Sequence, residues 1–148
     1  MNQIVEVQEN RSEAQVQERL QVVRLWFDGG TGPTNPGNGY GSYEIQSEHL
    51  NHVVSRAGFG NPITSNQAEY MTLLLALNWL GHNAEKAQTQ LLIFSDSKLV
   101  VMQVSGSWKV KCFHIRELRD EVRALLACFQ KWEIHWQSRV ENIKRFGH

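Results

Sequence analysis

Residues 22–30 read VVRLWFDGG, an apolar run that ends in an aspartate followed by two glycines. The run predicts a buried strand from Val22 to Phe27, with Asp28 at the point where the strand stops and meets solvent. A second apolar run, Leu91–Phe94, is followed closely by Asp96. A carboxylate at the end of a buried strand is costly to desolvate unless a cation compensates its charge. The two runs therefore predict a cation near Asp28 and Asp96.

A third acid, Glu69, opens a predicted helix within the segment NQAEY at residues 66–70. Three convergent carboxylates are suited to a divalent metal ion. Each acid alone also has an ordinary structural interpretation. Asp28 could be a turn residue, Glu69 could complement the dipole of its helix in the first turn, and Asp96 could be an N-cap.

The composition of the 148-residue chain predicts one domain with a substantial core, since 41% of its residues are hydrophobic. Fifteen basic residues balance fifteen acidic ones. This balance gives no general attraction to phosphate backbones, so nucleic-acid binding would need a local basic patch. Residues 1–20 are polar and poor in aromatics, which predicts a solvated arm or a marginal helix before a domain at residues 21–148.

The remaining composition favours a cytoplasmic protein, which we expect to be a monomer. Cys112 and Cys128 have no metal-binding spacing, and a domain of this size needs no disulfide. No apolar run approaches the roughly 20 residues of a membrane span, and the beginning of the chain lacks the order of a signal peptide. We therefore expect no membrane partner.

Periodicity and turn residues predict the other elements. Further strands are predicted at residues 39–45, 52–58, 91–95 and 132–136, with a long turn at 29–37. Helices are predicted at residues 66–80, stopped by Gly81, at 98–104, ended by Gly106, and in an amphipathic segment from Ile115 to Phe129. Three strands followed by helix, strand, two helices and a strand predict an α/β fold, with a mixed sheet covered by helices on both faces.

From about Val22 onward, the chain resembles the type 1 ribonuclease H family. The resemblance lies in the order and spacing of several motifs, namely Asp28-Gly29-Gly30, Asn35-Pro36-Gly37, Gly39-Tyr40-Gly41, Thr64-Ser65-Asn66-Gln67-Ala68-Glu69 and Ser95-Asp96-Ser97. It implies a ribonuclease H-like five-stranded mixed sheet, with three antiparallel strands followed by two parallel ones. It also implies that residues 21–148 form the catalytic domain.

The family resemblance implies an endonuclease that hydrolyses the RNA strand of RNA/DNA hybrids and leaves 5′-phosphate and 3′-hydroxyl ends. Two Mg²⁺ or Mn²⁺ ions about 4 Å apart can activate water and stabilise both the developing charge and the leaving oxygen. We expect Asp28 to bridge the ions, and the resemblance implies that Glu69 and Asp96 complete the cluster. Two alternatives are a related nuclease for double-stranded RNA and a catalytically impaired domain that only binds nucleic acid.

Several residues are candidates for substrate binding. The resemblance places Asn35, Asn66 and Gln67 where 2′-hydroxyls are read, Thr64 at a DNA-strand phosphate, and Gly29 beside the substrate. Ordinary turn and capping chemistry is the alternative for these residues. The stretch from Trp108 to Lys111 mixes an aromatic residue with two basic ones and can grip a backbone through Trp108, Lys109 and Lys111, although a solvated loop is equally compatible.

The C-terminus departs from the family pattern. The family carries a fourth acid four residues after an asparagine that Asn142 matches, and that position is Phe146 here. Three alternatives stay open: the chain is truncated, His148 replaces the acid through a two-residue shift, or three acids act alone with help from Asn142. Imidazole is a competent ligand, with a preference for Mn²⁺ over Mg²⁺. Gly147 would let the backbone turn His148 inward.

Overall fold

The computed structural model of the protein describes residues 20–148, so the predicted arm lies outside the described residues apart from Leu20. The described part contains five strands and four α-helices. The strands are β1 (Gln21–Gly32), β2 (Gly37–Gln46), β3 (Asn51–Ile63), β4 (Thr89–Ser95) and β5 (Lys131–Trp136). The helices are α1 (Ser65–Asn83), α2 (Lys98–Val104), α3 (Phe113–Leu126) and α4 (Arg139–Phe146), with a short 3₁₀ turn at Lys86–Gln88.

The strands form one mixed sheet in the order β3-β2-β1-β4-β5. β1 pairs antiparallel with β2 and β2 antiparallel with β3, whereas β1–β4 and β4–β5 are parallel. This arrangement confirms the predicted five-stranded sheet. Because β1 and β4 are parallel neighbours, residues that follow their apolar runs come to the same end of the sheet.

The core lies between the sheet and α1. Val23, Leu25 and Phe27 alternate along β1 and are fully buried against this helix. Each such side chain contributes about 1.5–3 kcal/mol of hydrophobic stabilisation. Trp26 points to the opposite face, where the guanidinium of Arg145 in α4 lies 3.6 Å from its ring centroid. Helices therefore cover both faces of the sheet, as predicted.

The structure corrects the predicted end of the first strand. β1 continues to Gly32 because its pairing with β2 persists, with Asp28 opposite Ser42. The parallel pairing with β4 ends earlier, at Trp26 opposite Phe94. Asp28 thus lies inside a strand, two residues beyond the last pair with β4, and the predicted turn at 29–37 shrinks to residues 33–36.

The predicted stop of the first helix at Gly81 is also wrong. α1 continues to Asn83, and the Ala84 N–H donates to the Leu80 carbonyl at 2.9 Å. A glycine ends a helix by adopting a left-handed conformation, and Gly81 does not adopt one. Gly106 does, with φ of +90°, just after α2 ends at Val104 as predicted. Within residues 20–148, no helix is long and apolar enough to cross a membrane.

Candidate metal centre

The three predicted acids converge at one end of the sheet. Carboxylate oxygens of Asp28, Glu69 and Asp96 lie within 4.8 Å of one another, and Asp28 and Glu69 are almost fully buried. β1 supplies Asp28, α1 supplies Glu69, and the loop after β4 supplies Asp96. The indole N–H of Trp136 donates to the Asp96 carbonyl at 3.0 Å and so helps to hold this loop.

The structure rules out the ordinary interpretations of Glu69 and Asp96. α1 begins at Ser65, four residues before Glu69, and its N-terminus is capped by Thr64. The N-cap of α2 is Ser97, whose hydroxyl accepts from the Val100 N–H at 3.2 Å. Glu69 therefore does not complement the helix dipole in the first turn, and Asp96 is not an N-cap.

Gly29 lets β1 approach the backbone of α1. A Cβ at this position would lie 2.5 Å from the Ala68 carbonyl carbon and 2.6 Å from the Glu69 nitrogen, closer than any side chain permits. The Gly29 N–H donates to Glu69 Oε2 at 3.1 Å. The structure thus gives Gly29 a role in bringing Glu69 to Asp28. Its predicted contact with substrate stays a prediction.

Burial and mutual repulsion hold the three carboxylates toward their neutral forms. Desolvation, followed by the charge of Asp96, raises the pKa of Asp28 to about 7. Burial and both neighbouring acids raise the pKa of Glu69 well above its usual range. Burial also raises the pKa of Asp96, against the opposing charge of Arg139. A divalent cation would offset the cost of ionising these carboxylates. Mg²⁺ and Mn²⁺ favour a set of oxygen ligands, so these residues fit such an ion.

The metal-free protein should lose stability as pH rises. The folded pKa of Asp28 lies near 7 and its unfolded pKa near 4, so the folded state binds more protons in this window. The stabilising effect of the bound proton is complete below about pH 4 and is lost as pH rises through about 7. Asp28→Asn should therefore be more stable than the unmodified protein at pH 8, by on the order of 1–3 kcal/mol after solvent screening.

Urea denaturation in chelator at pH 5 and pH 8 measures the gap in unfolding free energy between Asp28→Asn and the unmodified protein. This gap should be smaller at pH 5. Addition of Mg²⁺ should narrow the gap at pH 8, because the ion stabilises the ionised carboxylates of the unmodified protein. An equal gap at both pH values would show that the stability gain of Asp28→Asn does not come from removing the charge of Asp28.

The C-terminal histidine reaches the cluster. Gly147 adopts a left-handed conformation, with φ of +78°, and turns the chain after α4. His148 Nδ1 then lies 2.8 Å from Asp28 Oδ2, and Nε2 lies 2.8 Å from the Ser42 hydroxyl. Burial, together with the charge of Arg56, lowers the pKa of His148 and favours the neutral ring.

The contacts of His148 are compatible with a metal-ligand role. Ligand atoms bonded to one octahedral ion at about 2.1 Å lie about 3 Å apart, close to the separation of His148 Nδ1 and Asp28 Oδ2. Ser42 accepts the Arg56 N–H at 2.9 Å and has a second lone pair and a proton. It can therefore serve either tautomer of His148, including the one whose Nδ1 is free to bind a cation.

Sequence reasoning assigned no role to Arg139 or Ser42. Arg139 begins α4, and its charge opposes the raised pKa of both Asp28 and Asp96. The signal available in the sequence was a cation three residues before Asn142, the asparagine that matches the family. Asn142 is fully buried, donates to the Phe27 carbonyl at 3.4 Å, and lowers the pKa of Asp96 by hydrogen bonding. It therefore supports the cluster from α4.

The predicted substrate residues fall into two groups. Near the start of α1, Thr64 and Gln67 form a reciprocal capping box, and Asn35 Oδ1 accepts from the Ser65 N–H at 3.0 Å. Asn66 is exposed beside them. This group lies one helical turn from Glu69, although three of its side chains also have the predicted capping and turn contacts. The second group lies in the segment between α2 and α3, where Trp108, Lys109 and Lys111 are exposed.

Comparison with known proteins identifies the class to which this fold and carboxylate cluster belong. Residues 46–143 match a family described as reverse transcriptase-like, a segment that includes Glu69 and Asp96. Ribonuclease HI of Halobacterium salinarum is 30% identical over 120 residues, which is 81% of this chain and 58% of that protein. A bifunctional protein of Mycobacterium tuberculosis is 33% identical over 116 residues, 78% of this chain and 31% of its own length.

Solved structures agree with these matches. The RNase H1 of Halobacterium salinarum superimposes with a TM-score of 0.69 at 30% identity, covering 82% of this chain and 89% of that one. The N-terminal RNase H domain of the mycobacterial protein gives 0.71 at 29% identity, with coverages of 82% and 90%. LC11-RNase H1, isolated from compost, in complex with an RNA/DNA hybrid gives 0.73 at 26% identity, with coverages of 82% and 89%.

These matches and the sheet order define a ribonuclease H-like domain. The chain belongs to the type 1 ribonuclease H family. It corresponds to only part of the curated relatives, about a third of the mycobacterial protein and somewhat more than half of the halobacterial one.

Proposed function

We propose that this protein is a ribonuclease H, an endonuclease that hydrolyses the RNA strand of RNA/DNA hybrids. The convergence of Asp28, Glu69 and Asp96 is the observation that carries the proposal. These acids, two of them buried, repel one another, and divalent cations would stabilise their ionised forms. Family membership and the similarity to an RNase H1 that was solved with an RNA/DNA hybrid support the substrate.

The proposed mechanism uses two Mg²⁺ or Mn²⁺ ions held by Asp28, Glu69, Asp96 and His148. When bound, the ions supply Lewis-acid stabilisation of phosphoryl charge and lower the pKa of a water molecule. Asp28, which is repelled by the charge of Asp96 and contacts His148, would be the carboxylate shared by the two ions. Arg139 adds positive charge beside the cluster and so favours an approaching phosphate. The products are 5′-phosphate and 3′-hydroxyl ends.

Substrate choice in this proposal depends on 2′-hydroxyls. Asn35, Asn66 and Gln67 lie near the start of α1, one turn from Glu69, and have amide groups that can contact a minor groove. Thr64 holds a phosphate of the DNA strand, and the exposed Trp108, Lys109 and Lys111 contact backbone further along the duplex. The free cysteines Cys112 and Cys128 support a reducing cytoplasmic setting, where the protein would act as a monomer.

The substrate proposal predicts strand-selective cleavage. An RNA/DNA hybrid labelled on each strand in turn and incubated with Mg²⁺ or Mn²⁺ should lose only its RNA strand, because DNA lacks the 2′-hydroxyls that the amides read. A DNA duplex of the same sequence is the matched control and should remain intact. Equal cleavage of both duplexes would remove the hybrid assignment.

Two other outcomes of this experiment distinguish the alternative functions. Cleavage of double-stranded RNA would favour the related nuclease. Binding without cleavage in either metal would favour a catalytically impaired domain, the interpretation that Phe146 supports because it occupies the position of the family's fourth acid.

A further inference from the structure

Arg56 occupies a β-bulge beside the carboxylate cluster. The pairing of β2 and β3 shifts register between Gly41 and Tyr43, and Arg56 lies opposite this shift. Its φ of +55° places it in the left-handed region, and it is the only residue other than glycine with a positive φ within residues 20–148. This conformation is unfavourable for a long side chain and commonly accompanies functional sites.

The bulge is tied to the C-terminal histidine. The Arg56 N–H donates to the Ser42 hydroxyl at 2.9 Å, and the same hydroxyl contacts His148 Nε2 at 2.8 Å. His148 in turn contacts Asp28. The backbone of Arg56 is therefore connected to the carboxylate cluster through two side chains.

An aromatic ring holds the side chain of Arg56. The guanidinium carbon lies 4.4 Å from the centroid of Tyr40, a cation–π contact. The Tyr40 ring meets the His148 ring edge to face, with centroids 5.2 Å apart. The positive charge of Arg56 also lowers the pKa of His148, which agrees with its position near the site. A cation–π contact uses the ring face and engages no N–H group as a hydrogen-bond donor, so the donors of the guanidinium stay available for other partners.

Most other arginines of the described residues are engaged elsewhere. Arg145 pairs with Glu44 and Arg119 with Asp120. Arg116 and Arg123 donate to backbone carbonyls. Arg56 forms no ion pair within residues 20–148, although the cluster beside it carries three acids. The chain has no net charge that would attract anions over its whole surface, so the exposed guanidinium of Arg56 would attract an anion locally.

We propose that Arg56 binds a backbone phosphate of the nucleic-acid substrate next to the carboxylate cluster. This inference rests on the proposed function, because the anion is a phosphate of the strand that lies across the cluster. A planar guanidinium suits bidentate contact with phosphate oxygens. The strained backbone at the bulge fixes the direction of the Arg56 side chain. The contact with Tyr40 already restricts this side chain, so less conformational entropy is lost when it binds phosphate.

The salt dependence of binding tests this contact. Arg56→Gln removes the charge and leaves a shorter, unbranched side chain that is still polar. Affinity for an RNA/DNA hybrid is measured by fluorescence anisotropy in chelator from 50 to 300 mM KCl, and kcat and KM are measured with Mg²⁺. Arg56→Gln should lower affinity about five- to tenfold and reduce the slope of log affinity against log salt by about 0.7–0.9, the value for one phosphate contact.

The kinetic signature and two comparison variants complete the experiment. KM should rise in Arg56→Gln while kcat changes less than about twofold, because the contact is made equally in the ground and transition states. Arg56→Lys should keep the salt slope with intermediate affinity. Arg24→Gln, which removes an exposed arginine from the other end of β1, should change neither quantity. Melting temperatures of all variants verify folding.

The outcomes separate this inference from the proposed function. If the unmodified protein cleaves the hybrid and Arg56→Gln leaves affinity and salt slope unchanged, the phosphate contact is overturned and the ribonuclease assignment stands. If the unmodified protein binds the hybrid without cleaving it, and Arg56→Gln reduces the salt slope of binding, the phosphate contact stands and the ribonuclease assignment fails. If it binds no nucleic acid, both are wrong.

Discussion

Asp28→Asn should abolish hybrid cleavage and leave the fold intact. The amide keeps the shape of the carboxylate but loses its negative charge. In the proposed mechanism this charge helps to hold the divalent ions at the cluster of Asp28, Glu69 and Asp96. Metal ions contribute several kcal/mol of transition-state stabilisation, so we expect kcat with Mg²⁺ to fall at least about 1000-fold. The measurement is single-turnover cleavage of a labelled hybrid.

A matched control separates the site from general effects of lost charge. Asp120→Asn removes an exposed acid of α3 whose partner is Arg119, and it should retain normal turnover. The melting temperature of metal-free Asp28→Asn should rise at pH 8, because a buried charge that is also repelled by Asp96 is removed. Near-normal turnover in Asp28→Asn would show that these acids are not the metal centre.

Deletion of Gly147 and His148 should lower kcat by about 100-fold or more and barely change KM. If His148 is a metal ligand, its loss weakens the metal centre, whereas the substrate is held by phosphate contacts elsewhere. His148 contacts Asp28 directly, and the left-handed Gly147 directs it there. The rate supported by Mn²⁺ relative to Mg²⁺ should also fall in the deleted chain, because imidazole favours Mn²⁺.

Two comparison variants make this deletion specific. His135→Gln replaces an exposed histidine that pairs with Glu133 on β5, and it should leave turnover unchanged. Ser42→Ala should lower turnover in the full chain by removing the partner of His148 Nε2. It should have little further effect in the deleted chain, since its action passes through His148. Unchanged turnover after deletion would mean that three carboxylates, supported by Asn142, are sufficient.

Local patterns were enough to predict most of the fold. Apolar alternation and turn residues predicted all five strands, and the spacing of apolar residues predicted the three helices between Ser65 and Leu126. The errors were at boundaries, where long-range pairing decides. β1 extends to Gly32 because β2 continues beside it, and α1 passes Gly81 because that residue stays right-handed. Neither effect is visible in a window of neighbouring residues.

The sequence by itself determined the three acids, since each belongs to a motif in which residue type and strand or helix position are both local properties. Only the tertiary structure decided how these acids are surrounded. Ser42, Arg56 and Tyr40 meet His148 because a bulge in β3 and a left-handed turn at Gly147 bring together residues about 100 positions apart in the chain. Burial then raises the pKa of the three acids and lowers that of His148, because desolvation depends on what covers a side chain and not on its sequence neighbours.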